Sequence, residues 1–117
     1  MSAAGIDVIS LAVGEPDFAT PAHITQAAID ALNRGETHYA PSRGIPELTN
    51  AVAEKLRREN NIPVDAKQVL VTSGAKDAIR ITMTACLNPG DEVIILDPAW
   101  VSYDPAVKIA RGKAVHH

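Results

Sequence analysis

A chain of 117 residues with 46% apolar and 21% charged residues is the size of one modest domain, too apolar for a disordered chain. A net charge of −3, from 11 Lys and Arg against 14 Asp and Glu, argues against a surface built for a nucleic-acid backbone. One cysteine, Cys86, excludes an internal disulfide, the four histidines lack HExxH spacing, and nothing approaches the roughly 18 apolar residues of a membrane span.

The N-terminal MSAAGIDVISLAVGEPD has no basic region and its apolar stretch is broken, so it does not read as a secretory leader; a cytoplasmic location is expected. Residues 6 to 12 are predicted to be extended, ending at the Gly14-Glu15-Pro16-Asp17 turn. Thr20 followed by Pro21 predicts a helix start, cap then proline, and Ile24, Ala31 and Leu32 line one side until Gly35. Residues 36 to 46 hold Tyr39, two prolines and Gly44 and read as a loop. A second helix is predicted from Pro46 to Asn60, with Leu48, Val52 and Leu56 on its apolar stripe and charged side chains elsewhere.

Gln68 to Thr72 (QVLVT) reads as a short strand. Thr72-Ser73-Gly74 then turns into a third helix, Ala75 to Leu87, whose Ala78, Ile79, Met83, Cys86 and Leu87 predict a well-covered element with an inert, packed cysteine. After the Asn88-Pro89-Gly90-Asp91 turn, Glu92 to Leu96 (EVIIL) is the continuous apolar strand that a parallel sheet buries on both faces. A fourth helix is expected from Val101 to Ala110, closed by Gly112 at its C′ position, and Ala114 and Val115 open another strand. Strand, helix, strand, helix, strand is the βαβ pattern, so the fold class is α/β. The chain divides near residue 40, into an arm with one helix and an alternating part. That pattern suits part of a domain.

The Thr72-Ser73-Gly74-Ala75-Lys76 stretch is the first chemical candidate. A strand turning through glycine into a helix leaves backbone N–H groups free, and with the Ser73 hydroxyl these can hold a phosphate. Equally, Thr72 or Ser73 can be an ordinary helix cap. Trp100 follows the carboxyl end of EVIIL, the edge where open α/β sheets bind ligands, and its indole either stacks on a flat heterocycle or fills the core rim. Gly14 sits in an acidic turn, and Tyr39 in a polar loop. Lys76 and Arg80 share a helix face, as an anion-binding pair or a solvated one.

These places carry a resemblance. ISLAVGEPDFATP, THYAPSRGIPELTNAVAEKLRREN, VLVTSGAKDAI and LNPGDEVIILDPAWVSY, in that order, resemble the N-terminal part of a class I/II aminotransferase, a pyridoxal-phosphate enzyme of the aspartate aminotransferase fold. The resemblance implies a partial three-layer α/β/α domain with a mixed sheet, residues 41–117 belonging to the major domain and residues 1–40 to an N-terminal arm and small-domain segment. There QVLVT pairs with a late strand, and EVIIL with the strand opening near Ala114.

By the same resemblance, Gly14 matches the glycine whose backbone lies by the substrate carboxylate. Tyr39 matches the tyrosine that reaches the cofactor phosphate of the partner subunit, which implies a homodimer. Ser73, Gly74, Ala75 and Lys76 match the phosphate turn, with the Gly74 and Ala75 amides as donors. Trp100 matches the aromatic residue stacked on the pyridine ring at the substrate site. The cofactor implied is pyridoxal 5′-phosphate, and the substrates are an amino acid and a 2-oxoacid.

None of Lys55, Lys67, Lys76, Lys108 or Lys113 stands in the family's place for the Schiff-base lysine. No catalytic residue is therefore assigned among these residues, and the 117-residue chain is expected to be inactive alone, with an exposed QVLVT edge. Asp77 departs from the usual Gln, Thr49 from a frequent Arg, and Arg111 from a frequent Gly. Two further readings stand beside this one: a non-catalytic interaction module or pseudoenzyme remnant, and a small α/β phosphate-ligand binder. The His116-His117 pair supports none of them.

Overall fold

The computed structural model describes residues 5, 7–9 and 14–117. Of the extended segment expected over residues 6–12, residues 7–9 have no regular secondary structure, and residues 6 and 10–12 lie outside the described ones. The chain separates into two units, Met1–Tyr39 and Ala40–His117.

The first unit carries helix α1, Ala22–Asn33. Its N-cap is Pro21 rather than the expected Thr20, and no side chain caps it. The Pro21 carbonyl accepts the Ile24 and Thr25 N–H groups, which leaves the Thr20 hydroxyl one position too early to cap. Gly35 ends the helix as expected. At φ +78° it donates to the Leu32 carbonyl, while Glu36 donates to that of Ala31, the paired closure of a Schellman motif. No α1 side chain is buried.

In the second unit, α2 spans Pro46–Asn60, with Pro46 in the first turn, Glu47 beside it, and Arg57 and Arg58 in the last turn, where each suits the helix dipole. Its buried face is centred on Thr49 and Ala53, with Val52 and Leu56 half-buried and Leu48 exposed. The expected stripe is thus rotated by one position. Thr49 can be buried because its hydroxyl donates to the Pro46 carbonyl at 3.1 Å, leaving no unpaired polar atom.

A single 3-10 turn, Ala66–Gln68, follows, tied by reciprocal bonds between Asp65 and Gln68. Val69 is extended, at φ −93° and ψ 132°, but residues 69–72 form no strand among the described residues, where one was expected over Gln68 to Thr72. A strand exists only by pairing, and no neighbouring strand lies alongside them among the described residues. Helix α3, Gly74–Cys86, then leaves all its residues at least partly exposed, including Cys86, so neither the covered helix nor the packed cysteine is found. The only helix packed against α3 among the described residues is α4, Tyr103–Ile109, and one neighbour covers one side.

Strands β1, Glu92–Ile95, and β2, Lys113–His116, pair in parallel with Glu92 opposite Lys113 and Ile95 opposite His116. EVIIL does pair with the strand near Ala114. It is buried on one face only: Ile95 is 5% exposed, against 71% for Ile94 and 70% for Leu96. Helix α4 covers that one face, where Val107, Ala106 and Ala110 are buried with Ile95; Ala53 and Val69 are the other buried apolar residues among the described ones.

After α4 the left-handed residue is Arg111, at φ +62°, and not Gly112. Gly112 is there for space. A Cβ on it would lie 3.0 Å from Leu87 Cδ1 and from Val107 Cγ1, and 3.2 Å from the Asp91 carbonyl. Gly112→Val is therefore expected to destabilise this unit by about 1–3 kcal/mol through overpacking, read as a lower urea midpoint. An unchanged midpoint would show that Leu87 and Val107 give way freely.

Candidate functional site

The turn into α3 is built by three consecutive residues. Ser73, at φ −73° and ψ 68°, is the centre of an inverse γ-turn in which the Gly74 N–H donates to the Thr72 carbonyl at 2.8 Å. Gly74 takes φ +81°, which a side chain would strain although the space around it is open. Thr72 Oγ1 donates to the Gly74 carbonyl at 2.9 Å.

Two sequence expectations change here. The Gly74 amide is committed to Thr72, so it is not a free donor. Neither Thr72 nor Ser73 caps the helix with its side chain, although Ser73 holds the N-cap position. The amides left without an intrahelical acceptor are those of Ala75 and Lys76, the second and third residues of the helix. No other acceptor meets either of them among the described residues. They form a donor pair at the positive end of the α3 dipole.

The structure brings Trp100 to this turn. The indole lies beyond the carboxyl end of β1, 44% exposed, with Tyr103 edge-on at 5.7 Å. The Lys76 Nζ sits 5.4 Å from the indole centroid, a cation–π distance, so the Lys76 side chain links the first turn of α3 to the Trp100 ring. Ser73, Lys76, Asp77 and Arg80 line one wall of a cleft of about 450 Å³, and Ser102, Pro105, Ala106 and Ile109 line the other.

Asp77 need not repel an anion there. Arg80 donates to Asp77 Oδ1 through Nε at 3.0 Å and Nη2 at 2.8 Å, so the acid one turn in is matched by a guanidinium on its own helix. Lys76 and Arg80 both face the cleft, but only Lys76 has no carboxylate partner among the described residues.

Gly14 and Tyr39 belong to the first unit and are exposed there, Tyr39 fully. Tyr39 lines a shallow hollow with Thr37 and His38.

A polar cluster that sequence reading did not single out closes the carboxyl end of the strands. His116 Nδ1 lies 2.9 Å from Asp97 Oδ2, and its Nε2 lies 3.6 Å from Asp104 Oδ1. Lys108 Nζ lies 2.7 Å from Asp104 Oδ2. The four-residue spacing of Asp104 and Lys108 was a visible signal, whereas the approach of His116 depends on the parallel register. Among the described residues no cluster of His, Cys, Asp or Glu could hold a metal ion, and no helix is long and apolar enough to cross a membrane.

A family model, aminotransferase class I and II, matches residues 6–117. The chain is 51% identical over 111 residues to the aspartate/prephenate aminotransferase of Thermus thermophilus, covering 95% of this chain and 29% of that protein. It is 53% identical over 115 residues to an aspartate aminotransferase of Pyrococcus abyssi, covering 97% of this chain and 30% of the relative. Among solved structures, the aspartate aminotransferase from Thermus thermophilus with maleate superposes with a TM-score of 0.94 at 50% identity, over 98% of this chain and 30% of that one. The chain spans about 30% of the length of the relatives it matches.

The cluster around Asp104 sets a pH dependence. The hydrogen bond from Lys108 is the main cause holding the Asp104 carboxyl below its ordinary 3.8; partial desolvation opposes it, and His116 adds to the lowering. A lowered folded value means that the stabilisation is complete above the ordinary value and is lost as pH falls through the folded one. Carboxyl NMR titration is expected to place the Asp104 midpoint below 3.8, and Lys108→Met to move it upward. A midpoint unmoved by that change would mean that the pair does not persist in solution.

Proposed function

The chain belongs to the class I and II aminotransferases and corresponds to an N-terminal portion of such an enzyme; on that premise we propose that it supplies part of a pyridoxal 5′-phosphate site for amino-group transfer between an amino acid and a 2-oxoacid. The observation that carries this reading is the meeting of the α3 turn with Trp100, with Lys76 between them. The donor set fits the cofactor. Two partnerless amides, those of Ala75 and Lys76, and the Ser73 hydroxyl suit a phosphate, and the exposed indole suits a flat ring.

In this reading the Ala75 and Lys76 amides and Ser73 Oγ hold the phosphate, and Gly74 contributes its conformation rather than its N–H. The Lys76 ammonium adds positive charge beside the indole and is not the covalent lysine. Trp100 fixes the ring plane and screens one face from water, and it also borders the substrate. Bound there, pyridoxal phosphate would supply the electron sink that lets a proton leave the amino acid's α-carbon. Gly14 is assigned to the substrate carboxylate by its backbone. Tyr39 is assigned to the cofactor phosphate of a second subunit, in a cytoplasmic homodimer. The names of its relatives make aspartate the first amino acid to try.

The covalent lysine has no candidate within residues 1–117, so turnover is assigned to a longer polypeptide. The 117-residue chain alone is expected to show no transamination, and turnover by it would overturn that assignment. In the native polypeptide carrying these residues, Trp100→Ala should weaken pyridoxal phosphate binding by about 1–3 kcal/mol, the usual worth of a ring stack on an aromatic side chain. Gly74→Val should weaken it further by straining the turn. Equilibrium dialysis measures both, and wild-type affinity in the two variants would refute the site.

A further inference from the structure

Residues 69–72 lead directly into the Gly74 turn, yet they belong to no sheet among the described residues. The Val69 side chain is buried, and the distant hydrogen bonds of the segment come from one residue of the loop before α2. The Arg43 carbonyl accepts the Val71 N–H at 3.0 Å. The Arg43 guanidinium works back along the same segment, donating to the Val69 carbonyl at 3.4 Å through Nε and 3.3 Å through Nη2, and to the Lys67 carbonyl through Nη2. The Val69 carbonyl and the Val71 N–H thus both meet Arg43, as polar groups two residues apart do when they share one edge.

Gly44 allows the approach. At φ +103° it brings the loop so close that a Cβ would lie 2.7 Å from Val71 Cγ2. Among the described residues, no other residue distant in sequence hydrogen-bonds to residues 69–72.

We infer that Arg43 is a positioning residue for the phosphate turn: it braces the edge shared by Val69 and Val71 and so holds the segment that leads into the turn, so that the Ala75 and Lys76 amides stand fixed where an anion would sit. It touches no ligand itself. The inference rests on the pyridoxal phosphate reading above for its ligand, but not for its mechanics. Lysine keeps the charge and three donors but lacks the rigid planar fork in which Nε and Nη2 are held together, so it reproduces the contact only in part.

The test uses the native polypeptide carrying these residues, with Arg43→Met and Arg43→Lys. Arg43→Met keeps most of the apolar stem and the Val71–Arg43 main-chain bond while removing the donors. Without cofactor, amide exchange at residues 69–76 is expected to quicken about tenfold in Arg43→Met and less in Arg43→Lys. The dissociation constant for pyridoxal phosphate should rise roughly three- to tenfold, the usual worth of lost hydrogen bonds, while that for pyridoxal, which lacks the phosphate, stays unchanged.

Equal weakening of both ligands would mean general destabilisation and overturn the inference, as would unchanged exchange. If Arg43→Met fails to fold, Arg43→Lys decides by the same phosphate-selective readout. If the wild-type protein binds no pyridoxal phosphate, the functional reading fails, and the exchange experiment alone decides whether Arg43 holds the turn.

Discussion

Val107 is fully buried where α4 crosses the paired strands β1 and β2, and the geometry of the candidate site follows from that crossing. Burying such a side chain is worth about 1.5–3 kcal/mol, and Ala106, Ala110 and Ile95 extend the same seam. The small residues on α4 let the helix lie close to the sheet. With α4 held there, α3 packs on it, and the start of α3 lies on the side of the carboxyl end of β1. Gly112 belongs to the same constraint, since its lack of a side chain lets the turn after α4 pass between Val107 and Leu87.

The electrostatics at that edge divide the labour among neighbours on one helix. Arg80 is matched to Asp77 on its own face, which leaves Lys76, with its Nζ 5.4 Å from the indole centroid, as the cleft cation without a carboxylate partner among the described residues. An anion arriving there would meet a helix N-terminus and one ammonium rather than an exposed carboxylate. The strand ends carry their own network, in which His116 bridges toward Asp97 and Asp104 and links β2 to the segment after β1 and to α4.

Much of the local structure was legible from residue chemistry. Pro46 at a helix start, Gly35 in a left-handed closure and the β-branched run of β1 each act through their own backbone preferences, and each lies where the pattern placed it. The candidate turn was legible for the same reason: a glycine between a hydroxyl pair and a helix has few conformations open to it. The donor assignment was not. The γ-turn at Ser73 uses the Gly74 amide, and a bond between residues two apart leaves no mark on composition or periodicity. Nor did periodicity show that Thr49 would be buried in place of Leu48, since a threonine hydroxyl reads as polar until its acceptor is known.

By itself the sequence determined the family, the α/β alternation and the residue types at the phosphate turn and the indole, because these depend on local propensity and on blocks of residues in a fixed order. Tertiary structure alone decided which surfaces are covered. QVLVT and EVIIL carry similar strand chemistry, yet among the described residues only the second has a strand partner. The first is held by the carbonyl and guanidinium of Arg43, more than twenty residues earlier in the chain. Strand pairing is a contact between distant segments, and the residues of one segment specify only that it is able to pair, not what will lie beside it.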